Sequence, residues 1–197
     1  MFYKCVYWLI YVLAKLLYWF KLENVENIPK GAAILSGNHT ANVDSVLVIL
    51  ALGPDKQHAA MAKQELFHIP GFGWLIRQLG AYPVTRGGND IAAVKFSLKA
   101  LKDGLKLIIF PEGTRVRPGQ VVEAKSGAAM MAVKTGVPIV PLHITPGRKM
   151  FKGVTVVFGE PYYPKVEGRA TAEDYQRITA DLMDRIHALD PKKQLPR

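Results

Sequence analysis

Short, mostly apolar runs recur along this chain, most of them leading into a polar turn and then into a longer stretch with helical spacing. Ala32–Ser36, His58–Ala62, Ala81–Thr85, Leu107–Phe110, Ile139–His143 and Val154–Phe158 read as strands. Strands that are apolar on successive residues are buried on both faces, so helices must cover the sheet from both sides. The intervening stretches supply them. Val46–Leu50 begins one helix. Asn89-Asp90 caps another, with Ile91, Val94, Leu98 and Leu101 as its buried face and Lys95, Lys99 and Lys102 outward. Ser126–Thr135 is a small-residue helix closed by Gly136. Thr171-x-x-Asp174 resembles a capping box ahead of the stripe Tyr175, Ile178, Leu182, Ile186 and Leu189. The expected architecture is a single α/β domain over residues 23–197, with a largely parallel central sheet flanked by helices.

A chain of 197 residues with 49% hydrophobic and 21% charged content can bury a proper core and is not disordered. Its formal net charge of +10 calls for an acidic partner: nucleic acid, an anionic lipid surface, a phosphorylated substrate or an acidic carrier protein. The basic residues are spread along the chain without a nucleic-acid-binding motif, so no nucleic-acid partner is expected. Cys5 is the single cysteine, which excludes an internal disulfide framework and a cysteine-based metal cluster. No His-Glu-x-x-His or comparable set points to a bound metal.

Residues 1–22 stand apart. Eight aromatic residues lie between Phe2 and Phe20. As a helix the segment is about 30 Å long. Lys4 and Lys15, eleven residues apart, share one face with Tyr7, Tyr11 and Tyr18 beside them, and Val6, Ile10, Leu13, Leu17 and Phe20 lie opposite. This pattern fits a helix lying in the surface of a bilayer with that opposite side down, because lysine snorkels and Tyr and Trp favour the interface; a core helix with exposed lysines is the alternative. The expected location is therefore peripheral, against anionic lipid, and the single cysteine, which favours a reducing cytosolic setting, makes the cytoplasmic face of the cell membrane the expected one.

Between the strand at Ala32–Ser36 and the helix at Val46 runs Ser36-Gly37-Asn38-His39-Thr40-Ala41-Asn42-Val43-Asp44. A polar turn at a strand's carboxyl end is where open α/β sheets place their chemistry. His39 and Asp44 are its acid/base candidates. A carboxylate in the first turn of a helix can fold back on an imidazole, hold one ring nitrogen protonated and leave the other as a base. An N-capping Asp44 and an ordinary turn histidine fit the same spacing.

Two further turns carry chemistry-bearing residues. Gly80-Ala81-Tyr82-Pro83-Val84-Thr85-Arg86-Gly87-Gly88 delivers an arginine into a glycine-rich turn suited to phosphate. Leu107-Ile108-Ile109-Phe110-Pro111-Glu112-Gly113-Thr114-Arg115 empties a buried strand into an acid, a glycine, a hydroxyl and an arginine. A plain Glu112–Arg115 surface pair fits that turn too. Val137-Pro138-Ile139-Val140-Pro141 completes the set.

In this order, Asn38-His39-x4-Asp44, Gly80 to Arg86, Phe110 to Arg115 and Val137 to Pro141 resemble the glycerolipid acyltransferase family. Met61 to Phe67 and Ile69 to Trp74 are similar to the family's segment between its first two motifs. The resemblance implies a glycerol-3-phosphate acyltransferase-like fold with His39 as general base and Asp44 orienting it. It implies transfer of a fatty acyl group from acyl-coenzyme A or acyl carrier protein, a co-substrate rather than a bound cofactor. The acceptor it implies is the free sn-2 hydroxyl of lysophosphatidic acid. Another lysolipid, glycerol-3-phosphate, or a noncatalytic lipid binder on the same fold are the alternatives. Asn38, Lys63, Arg86, Glu112, Gly113, Thr114 and Arg115 are implied to bind substrate, Arg86 gripping the phosphate. The chain departs from the family in carrying Pro83 and Thr85 where the second motif has an aliphatic or aromatic run. The absence of a Gly-x-Ser-x-Gly elbow agrees with direct attack by the acceptor hydroxyl.

Overall fold

The computed structural model describes residues 1–55, 57–85, 90–117, 119–120, 122–145 and 151–191. Seven strands form one sheet: β1 (Lys21–Glu23), β2 (Ala33–Gly37), β3 (His58–Lys63), β4 (Ala81–Val84), β5 (Lys106–Ile109), β6 (Ile139–Ile144) and β7 (Thr155–Phe158). Among the described residues six α-helices accompany them: α1 (Phe2–Tyr18), α2 (Asp44–Ala51), α3 (Phe72–Gln78), α4 (Ile91–Lys102), α5 (Gly127–Thr135) and α6 (Ala172–Ala188). The strand order is β1-β7-β6-β2-β5-β3-β4. The β6-β2-β5-β3-β4 block is parallel, while β7 runs antiparallel to β6 and parallel to β1. The mostly parallel α/β sheet expected from the apolar runs is thus present.

The strands read as uninterrupted apolar runs because alternate residues feed two cores. Ala33 and Leu35 of β2 and Ile108 of β5 pack beneath α1 and α2. Ile34, Leu107 and Ile109 pack against α4, α5 and α6 on the other side. β1 escapes the apolar pattern, being a three-residue Lys-Leu-Glu strand at the sheet margin. Pro83 is accommodated because β4 is the opposite edge and pairs only with β3.

Capping follows the sequence where side chains dictate it. Asp90 Oδ1 accepts the Ala93 N–H at 2.9 Å, Gly136 closes α5 in the left-handed conformation (φ 69°), and Thr171 and Asp174 form a reciprocal capping box. The buried face of α4 holds Leu101, with Val94 and Leu98 half-buried on the same core as expected, and departs from the expected face at Ile91. Ala93, Ser97, Ala100 and Leu101 point inward, whereas Ile91 is 65% exposed.

The faces of α1 are also rearranged. Tyr7 is buried and its hydroxyl donates to the Leu50 carbonyl at 2.8 Å, while Tyr3, Tyr11 and Tyr18 pack on the same core. Val6, Ile10 and Leu17 are half-buried rather than turned outward, and Phe20 is fully buried. Tyr7 faces inward because its ring adds apolar area and its hydroxyl can reach a carbonyl. Lys4 pairs with Asp55 at 3.0 Å, and Lys15 folds back to donate to the Phe20 carbonyl at 2.8 Å. The outward stripe is consequently apolar and aromatic: Phe2, Trp8, Leu9, Val12, Leu13, Leu16 and Trp19. Among the described residues, no helix is long and apolar enough to cross a membrane.

Gly37, the last residue of β2, has no space for a side chain. An added Cβ would collide with the Leu142 side chain and stand 2.7 Å from the Leu142 carbonyl oxygen of β6. Gly37→Ala is expected to lower stability by about 1–3 kcal/mol through overpacking, measured as a shift of the urea midpoint.

Candidate functional site

β2 ends at Gly37, and the chain then turns along the carboxyl edge of the parallel strands before entering α2 at Asp44. Asn38 anchors the start of this turn. Its amide nitrogen donates to the Ile144 carbonyl (2.9 Å) and its amide oxygen accepts the Ile144 N–H (2.8 Å). The Asn38 side chain therefore braces β2 against the end of β6, a different duty from the substrate contact that the resemblance implies.

The turn closes on Asp44, which is fully buried. Its Oδ2 accepts the Thr40 N–H at 2.8 Å and the Ala41 N–H at 2.9 Å, and lies 3.1 Å from His39 Nδ1. The first turn of α2 favours negative charge at this position. With Nδ1–H donating to a carboxylate, the imidazole presents Nε2 with its lone pair. Phe110 fixes the plane of the ring, stacking on it at 4.3 Å between centroids and 15° between planes. The His39 side chain keeps 12% of its surface open.

Glu112 holds the same histidine from the other side. Its Oε2 accepts the His39 backbone N–H at 2.7 Å, and Val116 N–H donates to the His39 carbonyl at 2.8 Å. Burial pushes the Glu112 carboxyl above its ordinary value, the His39 N–H and ring pull it down, and the charge of Asp44 adds to the rise. A carboxyl with a raised folded pKa binds its proton more tightly folded than unfolded. Its stabilising contribution therefore grows as pH falls through the folded value and levels off below the unfolded value near ~4.3. Glu112→Gln keeps an acceptor for the His39 N–H without the desolvated charge. The variant is expected to be at least as stable as the native protein at pH 7, with its advantage shrinking toward acid in urea titrations. It should retain most activity, whereas Glu112→Ala, which frees the His39 backbone, should not.

His39 opens onto a cavity of about 230 Å³. Its mouth includes Lys63, Thr85, Gly113 and Lys125, and its interior runs between strands β3, β4 and β5 and helices α4 and α5, where Met61, Val84, Val94 and Met131 line it. Lys63 also pairs with Glu65 at 2.9 Å. Gly113 has φ +63°, and an added Cβ would stand 3.1 Å from Lys125 Cε, so the glycine makes room for the lysine stem across the turn. Lys125 N–H in turn donates to the Pro111 carbonyl at 2.7 Å.

The sequence-expected residues thus separate. His39, Asp44, Glu112, Gly113 and Lys63 converge on the cavity or on the histidine that opens it. Thr114 is half-buried and Arg115 exposed, and neither lines the cavity. Arg86 lies outside the described residues, between Thr85 and Asp90 in sequence, both of which line the cavity. Lys125 and the residues of the apolar wall are not among the site residues that the sequence singles out. Lys125 had one faint signal, a basic residue just ahead of a small-residue helix, and the wall had none. Among the described residues no cluster of His, Cys, Asp or Glu could hold a metal ion. His58 and His143 serve the scaffold, meeting the Leu79 carbonyl at 2.9 Å and the Ile186 carbonyl at 3.2 Å.

Comparison with known proteins meets this geometry. A 1-acyl-sn-glycerol-3-phosphate acyltransferase from Pseudomonas aeruginosa is 28% identical over 95% of this chain and 76% of its own length. A chloroplastic one from Arabidopsis thaliana is 33% identical over 64% of this chain, which spans 35% of that longer protein. The crystal structure of the 1-acyl-sn-glycerophosphate acyltransferase PlsC from Thermotoga maritima superposes with a TM-score of 0.68 at 31% identity, covering 90% of this chain and 73% of that one. The profile of the Acyltransferase family matches residues 20–145, a span that runs from β1 through β6 and holds the His39–Asp44 pair. The chain belongs to the Acyltransferase family.

Proposed function

We propose that the protein transfers a fatty acyl group from a thioester to the free sn-2 hydroxyl of lysophosphatidate, yielding phosphatidate. The observation that carries this reading is the His39–Asp44 pair at the lip of a cavity whose mouth carries Lys63 and Lys125, with Asp90 also on its lining, and whose interior is apolar. Its two ends match a lipid phosphate and an acyl chain.

The chemistry follows from the ring's orientation. Nε2 of His39 takes the acceptor's hydroxyl proton as the oxygen attacks the thioester carbonyl. The imidazolium that forms lies against the Asp44 carboxylate. Collapse of the tetrahedral adduct breaks the carbon–sulfur bond, and the departing thiolate receives the proton from Nε2. The histidine returns to its starting state without a covalent enzyme intermediate. Acyl-coenzyme A or acyl carrier protein is the donor, and the net positive charge suits the phosphates of the first and the acidic surface of the second.

Lys63 and Lys125 supply positive charge at the mouth, and Arg86 is assigned the acceptor phosphate from its place in the second family motif. Arg86→Ala should raise the apparent KM for lysophosphatidate by roughly 10–100-fold, the equivalent of about 1.5–3 kcal/mol for a charged hydrogen bond, with kcat little changed. An unchanged KM refutes the phosphate assignment. The apolar outward face of α1 docks the protein on the cytoplasmic leaflet, where its lipid substrate resides.

An acceptor series tests the function. Purified protein in mixed micelles is given lysophosphatidate, glycerol-3-phosphate or a neutral lysolipid with each donor. Lysophosphatidate should show the highest kcat/KM. Preference for either other acceptor reassigns the substrate.

A further inference from the structure

The exposed apolar surface does not end with α1. Between β3 and the end of α3 the chain makes a tight ridge, in which the Phe72 N–H donates to the Pro70 carbonyl (2.8 Å) and the Gly73 N–H to the Ile69 carbonyl (2.9 Å). Gly73 is buried so closely against the Phe67 backbone that no side chain fits there, so the ridge is a packed element. Yet Leu66, Ile69, Phe72 and Trp74 on this ridge are 36–57% exposed. The ridge joins the α1 stripe directly, with the Trp74 and Phe2 rings 5.2 Å apart. All three tryptophans of the chain, Trp8, Trp19 and Trp74, are more than half exposed, and all lie on these two elements.

The other end of the ridge reaches the active cavity. It begins at Lys63, which lines the mouth with His39, and Gln64 accepts the Thr85 hydroxyl at 2.6 Å beside it. Arg77, at the far end, lies over the Phe67 ring at 5.0 Å.

We propose that Leu66, Ile69, Phe72 and Trp74 form a second membrane-docking element, continuous with the α1 face, that seats the lip of the cavity on an anionic bilayer. This rests on the α1 docking described above. A bilayer is the occupant that the charge favours. A chain of +10 is drawn to anionic lipid, whereas two copies brought face to face repel one another. Tryptophan is the side chain that favours the lipid–water boundary. Two contacts, one along α1 and one along the ridge, fix the protein's rotation on the surface. A lysolipid's acyl chain then passes from the bilayer to the cavity without crossing water.

The tryptophans provide the test. Trp8→Phe/Trp19→Phe leaves Trp74 as the sole emitter, and Trp74→Phe leaves the two on α1. Each is mixed with vesicles of phosphatidylglycerol and brominated phosphatidylcholine. The expected result is a blue shift and bromine quenching of Trp74 as well as of the α1 pair. Quenching of the α1 pair with Trp74 unaffected overturns the second element and leaves α1 docking intact. No quenching in either folded variant overturns both. Trp74 emission already blue-shifted without vesicles, in a protein that sizes as a dimer, assigns the ridge to a second copy instead. As an independent readout, Phe72→Asp/Trp74→Asp should bind these vesicles about tenfold more weakly. Its rate should fall on vesicle-borne lysophosphatidate and stay unchanged on a short-chain, monomerically soluble one. Equal losses on both acceptors refute a docking role.

Discussion

His39→Ala is expected to lower acyl transfer by on the order of 10²–10⁴-fold while the protein stays folded. The loss falls on kcat, because the imidazole accepts the acceptor's proton only as the new bond forms. The stability cost is small. The ring keeps 12% of its surface open, and Asp44 retains the Thr40 and Ala41 N–H groups after the ring is gone. The lost contacts are the stacking on Phe110 and one hydrogen bond, for which about 1 kcal/mol is the scale. Circular dichroism and a urea titration beside the rate measurement separate the two effects. A variant that is inactive because it is unfolded would show both at once. A folded variant with full activity would make His39 a bystander.

Asp44 produces a different pattern, because one carboxylate oxygen ties the loop and orients the base. Asp44→Asn preserves volume and an acceptor for the loop amides, yet removes the negative charge that stabilises the imidazolium. Activity should fall on the order of 10²–10⁴-fold, the scale for neutralising the carboxylate behind a catalytic histidine, with stability close to native. Asp44→Ala removes the acceptor as well. It leaves the Thr40 and Ala41 N–H groups without their partner at a cost of about 1–3 kcal/mol each where water does not replace it. Comparing the two variants by rate and by urea midpoint divides the roles. If Asp44→Asn keeps the native rate, the carboxylate serves only to shape the loop.

Much of this arrangement was legible in the sequence because it is local. His39 and Asp44 are five residues apart across a strand–turn–helix junction, so their meeting follows from a single turn. Apolar runs, caps and stops likewise act within a few residues, which is why α5, α6 and the central strands follow the sequence reading. What the sequence hid depends on distant partners. β1 is three residues long and becomes a strand only by pairing with β7. The helical period of α1 was plain, but its buried side was not, since Tyr7 turns inward to reach Leu50. The bracing of β2 by Asn38 was hidden as well, since Ile144, which meets both ends of its amide, is distant in sequence. The cavity assembles from three strands, three helices and the turns between them, and Lys125 enters it because Gly113 makes room.

The most direct measurement of the central claim is phosphatidate formation by the purified, vesicle-bound protein. It is supplied with sn-1-acyl lysophosphatidate and either acyl-coenzyme A or acyl carrier protein thioester, and the product is assigned by mass and acyl position. The expected product is phosphatidate newly acylated at sn-2, with equimolar release of free thiol and no acyl group retained on the protein. Absence of product with both donors, from protein shown to be folded and lipid-bound, would contradict it.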